Sequence, residues 1–345
     1  MSLISEIHEQ ADVLENLLKN QRSLVENIAA NLQARLPSYV FLAARGTSDN
    51  AGRYANYVWG SLNGLPVALA TPSLFTVYQQ PPSLKDSLVV GISQSGQSPD
   101  IVSVLAEGQR QGSPTLAITN ATGSPLAQAA DFIIDIQAGK ELAVAATKTY
   151  TAELMTIAML SAALRQDPHM WEELAKVPGW VRAVLDQDEQ IARFAERYRY
   201  MERCVVLGRG YNYATAFEWS LKLKELTYVV AEPYSTADFQ HGPIAIVDPG
   251  FPVMVVAPTS KVLDNFLPLL NRLHDEQSAE LVILSDLPEV LSLARTPIAL
   301  PSGVPEWLTP LVAIVAAQMF SCYLTQVKGF STEAPRSIHK VTETQ

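Results

Sequence analysis

Cysteine is scarce in this sequence, with two residues, Cys204 and Cys322, in 345. Both sit inside apolar runs, RCVVLG and MFSCYL. They read as buried thiols, which excludes a disulfide scaffold. The five histidines, His8, His169, His241, His274 and His339, form no H-x-x-x-H pattern, and no C-x-x-C accompanies them. Neither a metal nor any other cofactor is expected. Basic charge is also short: 25 Lys and Arg against 35 Asp and Glu leave a net charge of −10. Such a field repels nucleic acid and anionic membranes, so neither is expected as a partner. The first ten residues, MSLISEIHEQ, carry acids where a signal peptide needs bases and an apolar core. No apolar run reaches about 18 residues. The longest candidate, 308–324, is interrupted by Pro310, Gln318 and Ser321. The cytoplasm is the expected location.

What is present is an ordinary globular composition, 48% hydrophobic and 17% charged, in a chain long enough for about two domains. Residues 3–35 read as an amphipathic helix with Leu3, Ile7, Leu14, Leu17, Leu18, Leu24, Ile28 and Leu32 on its apolar face. This arm, 1–36, is expected to pack on the body or on a partner. Its only bases are Lys19, Arg22 and Arg35, too few for a DNA-binding helix-turn-helix. A strand–helix pattern follows, with strands at 39–44, 87–92, 115–118 and 132–136 and a closing helix at 142–165. The second half repeats it, with strands at 204–207, 253–257, 281–284 and 298–300 and a closing helix at 307–327. Such alternation predicts an α/β fold with parallel sheets covered on both faces. Arg209 lies 164 residues after Arg45, and Val255 lies 164 after Gly91. The constant offset argues for two tandem copies of one domain, 37–165 and 194–330. Between them, 166–193 reads as a polar helical linker broken at Asp167-Pro168 and Pro178-Gly179, and 331–345 is a tail.

The loop SQSGQSP at 93–99 stands where the second strand ends and a helix begins. Free N–H groups and the helix dipole make such a place an anion site. Gly96 lets the backbone curl, Ser93, Ser95 and Ser98 offer hydroxyls, and Gln94 offers an amide. Ser98 is placed to cap a helix that opens at Pro99. No lysine of the G-K-[ST] type is present, so this is not a nucleotide loop. Arg45-Gly46-Thr47-Ser48 forms the tip of the first strand, and two adjacent tips in a doubly wound sheet share one crevice, here suited to a phosphate monoester. The second copy has Ala257-Pro258-Thr259-Ser260 at the matching tip, with no glycine, so only the first copy is equipped for phosphate.

Three further stretches carry reactive groups. ELAVAATKT at 141–149 reads on its own as a helix entry, with Thr147 and Lys148 capping or pairing locally. Glu218, Lys222 and Glu225 fall within about 60° of one helix face at about 100° per residue. Trp219, Leu223, Leu226 and Val230 form the buried stripe on another face. Alone, the charged trio reads as a solvated face with an ion pair. His241 follows in a His-Gly-Pro turn. The chain ends SIHKVTETQ, a solvated tail by default, although a mobile tail can deliver one lysine to a site.

Taken together, SQSGQS, ELAVAATKT, LGRG, SLKLKELTYVVAEPYSTADFQHGP and the terminal lysine tail resemble the double sugar isomerase (SIS) family over the whole chain from residue 3. The likeness is greatest to the isomerase half of glucosamine-6-phosphate synthase and to the isomerizing glucosamine-6-phosphate deaminases. The resemblance implies two tandem doubly wound, flavodoxin-like parallel-sheet domains. It places Thr47, Ser48, Ser93, Gln94, Ser95 and Ser98 on the sugar phosphate and Val144 at a backbone contact to substrate. Glu225 matches the isomerising base, with Glu218 and Lys222 as substrate-contacting helix neighbours. His241 matches the ring-opening histidine, which in the family reaches into the other subunit's site, so a homodimer is expected. Lys340 matches a tail lysine able to form a Schiff base with a ketose. Two positions depart from the synthase pattern: Arg45 replaces a Cys before Gly-Thr-Ser, and Trp219 replaces a small residue. No glutaminase domain is expected before residue 1, hence no ammonia from glutamine. These departures favour the deaminase branch or a relative with another amine substrate.

The expected reaction converts glucosamine 6-phosphate to fructose 6-phosphate and ammonia. Alternatives are a fructosamine-6-phosphate deglycase, a galactosamine-6-phosphate deaminase, or a sugar-phosphate sensor that keeps the serine loop without catalysis.

Overall fold

The structure, a computed structural model, describes residues 2–34 and 37–340. Of the expected arm and tail, Met1, Arg35, Leu36 and 341–345 lie outside the described residues. The chain forms two compact units. The serine-loop unit comprises Glu9–Leu142, Lys148–Pro178 and Ile338–Gln345, and the helix unit comprises Met1–His8, Ala143–Thr147 and Gly179–Ser337. The helices of the two units include α1 (Leu3–His8), α2 (Gln10–Ala34), α3 (Gly46–Asn63), α4 (Pro99–Arg110), α5 (Lys148–Arg165), α6 (Tyr213–Lys222) and α7 (Thr309–Val327).

In the serine-loop unit, β1 (Tyr39–Ala43), β2 (Val67–Leu69), β3 (Ser87–Ile92), β4 (Thr115–Thr119) and β5 (Phe132–Asp135) form a parallel sheet in the order β2-β1-β3-β4-β5. This is the flavodoxin-like order, whose switch point lies between β1 and β3. Every residue of β3 and β4 is buried, as expected of apolar strands with helices on both faces. Val89 and Ala117 pack there with Val104 and Leu105 of α4 and with Leu126. Helix α5 lies against α2 and α3 and is buried from Lys148 to Ala163, so it is a core helix and not an amphipathic one.

The helix unit holds β6 (Arg203–Gly208), β7 (Val230–Ser235), β8 (Pro252–Val256), β9 (Glu280–Ser285) and β10 (Thr296–Ala299), all parallel, in the order β10-β9-β8-β6-β7. Read from the other edge, this is the same order as in the first sheet. Helix α7, with the turn before it, is long and apolar enough in composition to cross a membrane, but its apolar window is 94% buried within the protein. It is the core helix of this unit. Pro310 does not interrupt it, because it stands in the first turn, where no N–H is needed. The Ser321 hydroxyl donates back to the Ala317 carbonyl at 2.8 Å.

Several local expectations need correction. The single helix at 3–35 is two helices, α1 and α2, and α1 packs with α7. Leu24 lies off the apolar face, 41% exposed, and Val25 is buried in its place. Val230 is not part of the buried stripe: the chain has left the helix by then, and Val230 opens edge strand β7, 61% exposed. The closing helix begins at Lys148, not 142. Pro178-Gly179 is no break, because Pro178 sits in the first turn of a helix at Val177–Leu185.

Candidate active site

Strands β1 and β3 are hydrogen-bonded neighbours with Ala43 opposite Gly91, so their C-terminal tips lie side by side. From the β3 tip, Ser93-Gln94-Ser95-Gly96 curls before α4. Gly96 N–H donates to Ser93 Oγ at 3.1 Å and Gln97 N–H to Ser95 Oγ at 3.4 Å. Asn120 N–H donates to the Gln94 carbonyl at 3.2 Å, which ties the loop to the end of β4. Ser98 is the N-cap residue and Pro99 opens the helix, but the Ser98 side chain makes no cap bond. At the β1 tip, Thr47 is half-buried in the first turn of α3. The neighbouring Ser48 Oγ donates to Glu153 Oε1 on α5 at 2.8 Å.

Gly96 is required twice over. Its φ is +62°, and an added Cβ would lie 2.0 Å from Ser124 Oγ. Gly96→Ala must therefore distort the loop, by at least the left-handed penalty of about 1–2 kcal/mol. The expected result is a rise of about tenfold or more in KM for a sugar phosphate. Steady-state kinetics check this, and an unchanged KM would mean that the loop does not hold the substrate.

The matching tip in the helix unit is closed by its own carboxylate. Thr259 N–H and Oγ1 donate to Asp286 Oδ1 and Oδ2, each at 2.7 Å. Asp286 holds the donors that an anion would need there. This gives a physical basis for the expected inequality of the two loops, and nothing in the 257–260 stretch alone pointed to it.

The tail lysine is anchored within the serine-loop unit. Lys340 Nζ lies 2.5 Å from Glu141 Oε2. The side chain of Glu141 is fully buried and accepts from Thr149 N–H at 3.2 Å and Thr149 Oγ1 at 2.8 Å. Those bonds from Thr149 back to Glu141 cap α5 at its start, Lys148. Lys148 pairs not locally but with Glu9 Oε2 at 2.6 Å, and it also donates to the Lys140 carbonyl at 2.8 Å. Val144 belongs to the segment that forms part of the helix unit, where it is half-buried. The sequence assigns Glu141 no role beyond its place in ELAVAATKT, because a pair 199 residues apart leaves no periodic signal.

In the helix unit, α6 runs into a π-helical turn at Leu223–Thr227, closed by Tyr228 in the left-handed region at φ 58°. Lys222 Nζ lies 3.3 Å from Glu218 Oε1 and 2.6 Å from Glu225 Oε2. Side-chain exposures are 0% for Glu218, 1% for Lys222 and 25% for Glu225. The solvated-face reading of the trio is therefore wrong: two members are buried, and only Glu225 reaches solvent. Burial pulls the Lys222 ammonium toward neutrality, but Glu218 and Glu225 together outweigh it and hold the group above the ordinary lysine range. Single π turns inside helices are rare and frequent at functional sites, although this chain has a second one at Arg272–Glu276, away from the cluster. Behind the cluster, Trp219 is buried and meets Phe320 of α7 edge-on at 5.9 Å.

Tyr228 also fixes the start of the tail. Its hydroxyl accepts from Arg336 N–H at 2.9 Å, its ring packs edge-on with Phe330 at 4.9 Å, and the Arg336 guanidinium lies over it at 4.3 Å. His241 is exposed after the short helix Thr236–Gln240, its N–H bonded to the Asp238 carbonyl at 3.0 Å. The structure thus groups Thr47, Ser48, Ser93, Gln94, Ser95, Ser98 and Lys340 in the serine-loop unit. Val144, Glu218, Lys222, Glu225 and His241 belong to the helix unit.

These arrangements have counterparts among known proteins. The chain is 32% identical over 340 residues to the glutamine–fructose-6-phosphate aminotransferase (isomerizing) of Aquifex aeolicus strain VF5, covering 98% of this chain and 57% of that protein. It thus spans little more than half the length of the curated relatives it matches. The crystal structure of a provisionally named phosphosugar isomerase from Silicibacter pomeroyi DSS-3 superposes with a TM-score of 0.87 at 33% identity, covering 96% of this chain and 100% of that one. The C-terminal domain of the glucosamine-fructose-6-phosphate aminotransferase from Francisella tularensis gives 0.84 at 27% identity, covering 96% and 98%. A family model for the SIS domain matches residues 37–163 and 198–328. Because the two matched stretches take in both sheets, the serine loop and the Glu218–Lys222–Glu225 cluster, this chain belongs to the SIS domain family and carries the domain twice.

Proposed function

We propose that the chain is a sugar-phosphate isomerase that acts on an amino-sugar phosphate, converting glucosamine 6-phosphate to fructose 6-phosphate and ammonia. The observation that carries this reading is the Glu218–Lys222–Glu225 cluster. A buried ammonium shared by two carboxylates holds the one partly exposed member, Glu225, in a fixed position. Aldose–ketose isomerisation needs such a base, able to take a proton from one carbon and return it to the next. The relatives' printed names add hexose 6-phosphates and isomerisation to this support.

In the proposed sequence the serine loop holds the phosphate, and His241 moves a proton from O1 toward O5 to open the ring. Glu225 takes the proton from C2 and delivers it to C1, while the C2 amine gives up one proton to become the imine and the former aldehyde oxygen gains one to become the C1 hydroxyl. Lys222 fixes Glu225 and offsets charge that develops on oxygen. Water then adds to the C2 imine and ammonia leaves, giving the ketose. Lys340 assists at that stage, as a charge or by a transient Schiff base. The exposed position of His241 suits a histidine that serves a partner's site, so the working form is proposed to be a homodimer. The Arg45 and Trp219 departures favour deamination over synthesis.

The test is direct. The purified chain is incubated with glucosamine 6-phosphate, and ammonia and fructose 6-phosphate are measured; equimolar appearance of both is expected. Consumption of fructosamine 6-phosphates or galactosamine 6-phosphate, with none of glucosamine 6-phosphate, overturns the substrate assignment. Binding of all three without turnover overturns catalysis in favour of a sensor.

A further inference from the structure

We propose that Arg45 is a charged contact to the substrate's phosphate, added to a crevice whose other donors are neutral. This rests on the reading that the crevice between the β1 and β3 tips holds that phosphate. Arg45 is the N-cap residue of α3, just past the end of β1. Its Nε donates to Asp100 Oδ2 at 2.7 Å. Asp100 stands in the first turn of α4, 1% exposed, and its other oxygen accepts from Ile101 N–H at 2.9 Å. The ion pair thus runs from the tip of β1 to the helix that leaves the serine loop, across the switch point of the sheet.

Asp100 uses one N–H of a five-donor fork. The Arg45 side chain is 51% exposed, and Nη1 and Nη2 make no hydrogen bond among the described residues. The guanidinium is therefore oriented but not saturated, the state in which arginine grips a phosphate with two parallel bonds. The charges around it point the same way. Asp49, beside Thr47 and Ser48, has its carboxyl pushed up by burial against the opposing pull of Arg53 and Arg45. Asp49 and Asp100 stand beside the crevice, and a phosphate dianion arriving there needs a cation between itself and those carboxylates.

Arg45 could instead act only by neutralising buried Asp100, and a pair of variants separates the two roles. Arg45→Ala removes the guanidinium. Arg45→Ala with Asp100→Asn removes it without leaving a buried carboxylate unpaired, and so keeps the fold should the single variant lose it. The probes are inorganic phosphate, read as a rise in melting temperature, and glucosamine 6-phosphate, read as KM and kcat. Phosphate affinity is expected to fall about tenfold to a hundredfold in the single variant, the scale of a charge-assisted hydrogen bond. The double variant is expected to show the same fall, with KM affected more than kcat. A double variant that binds phosphate as the parent does would overturn the proposal and leave Arg45 as a structural counter-ion. If neither phosphate nor sugar phosphate stabilises the parent, the crevice reading itself fails and takes this proposal with it.

Discussion

Glu225→Gln is expected to lower kcat by about 10²- to 10⁴-fold, the range for a positioned general base. KM should stay close to that of the parent. The two parts of the expectation follow from different features. The amide keeps the shape of the side chain and can still meet Lys222 Nζ, which lies 2.6 Å from Glu225 Oε2, so the π turn should persist and sugar phosphate should still bind. What is lost is proton transfer between C2 and C1, a transition-state interaction that shows in kcat. Mixing the variant with His241→Ala chains adds a second readout. If His241 serves the partner's site, mixed dimers contain one intact site and activity returns; no recovery would remove the shared-site proposal while leaving Glu225 as the base.

Lys222→Met is expected to be the most destabilising single change in the cluster, by about 3–5 kcal/mol. Methionine fills the space, but the Glu218 carboxylate, whose side chain is fully buried, loses a cationic partner. Adding Glu218→Gln removes that buried negative charge and should recover most of the loss. Denaturant titration of the three proteins measures both effects. A Lys222→Met midpoint equal to the parent's would contradict the buried pairing. The pH dependence follows from the direction of the lysine shift. A lysine raised above its unfolded value stabilises fully below about pH 10 and loses that contribution only as pH rises through the folded value. The deficit of Lys222→Met should therefore be constant across the neutral range and shrink only in strong alkali.

The elements legible in the sequence include uniformly buried strands as well as partly buried ones such as β1 and β5. Strands β3 and β4 have apolar centres because helices cover both faces, and β3 matches its expected limits, 87–92. Strand β2 is three residues long, too short for any periodicity, and β7 reads VAEPYS, with an acid and a proline that only an edge strand tolerates. The serine loop could be read because a strand end, a glycine and a helix start are adjacent in the chain. The seating of Lys340 on Glu141 and the closing of the second loop by Asp286 join residues far apart in sequence, so neither left a local trace. Helical spacing did bring Glu218, Lys222 and Glu225 together, but it could not distinguish a solvated face from a buried one. That depended on α7 packing against α6, a long-range contact.

The central claim is isomerisation at adjacent carbons of a sugar phosphate, and proton NMR of the purified chain in deuterium oxide with glucosamine 6-phosphate tests it most directly. The account predicts loss of the aldose C1 and C2 signals, growth of fructose 6-phosphate signals with some solvent deuterium at C1, and neither change in the Glu225→Gln protein. Unaltered spectra with the parent chain, for glucosamine 6-phosphate and for other 6-phosphorylated aldoses and ketoses alike, would contradict it.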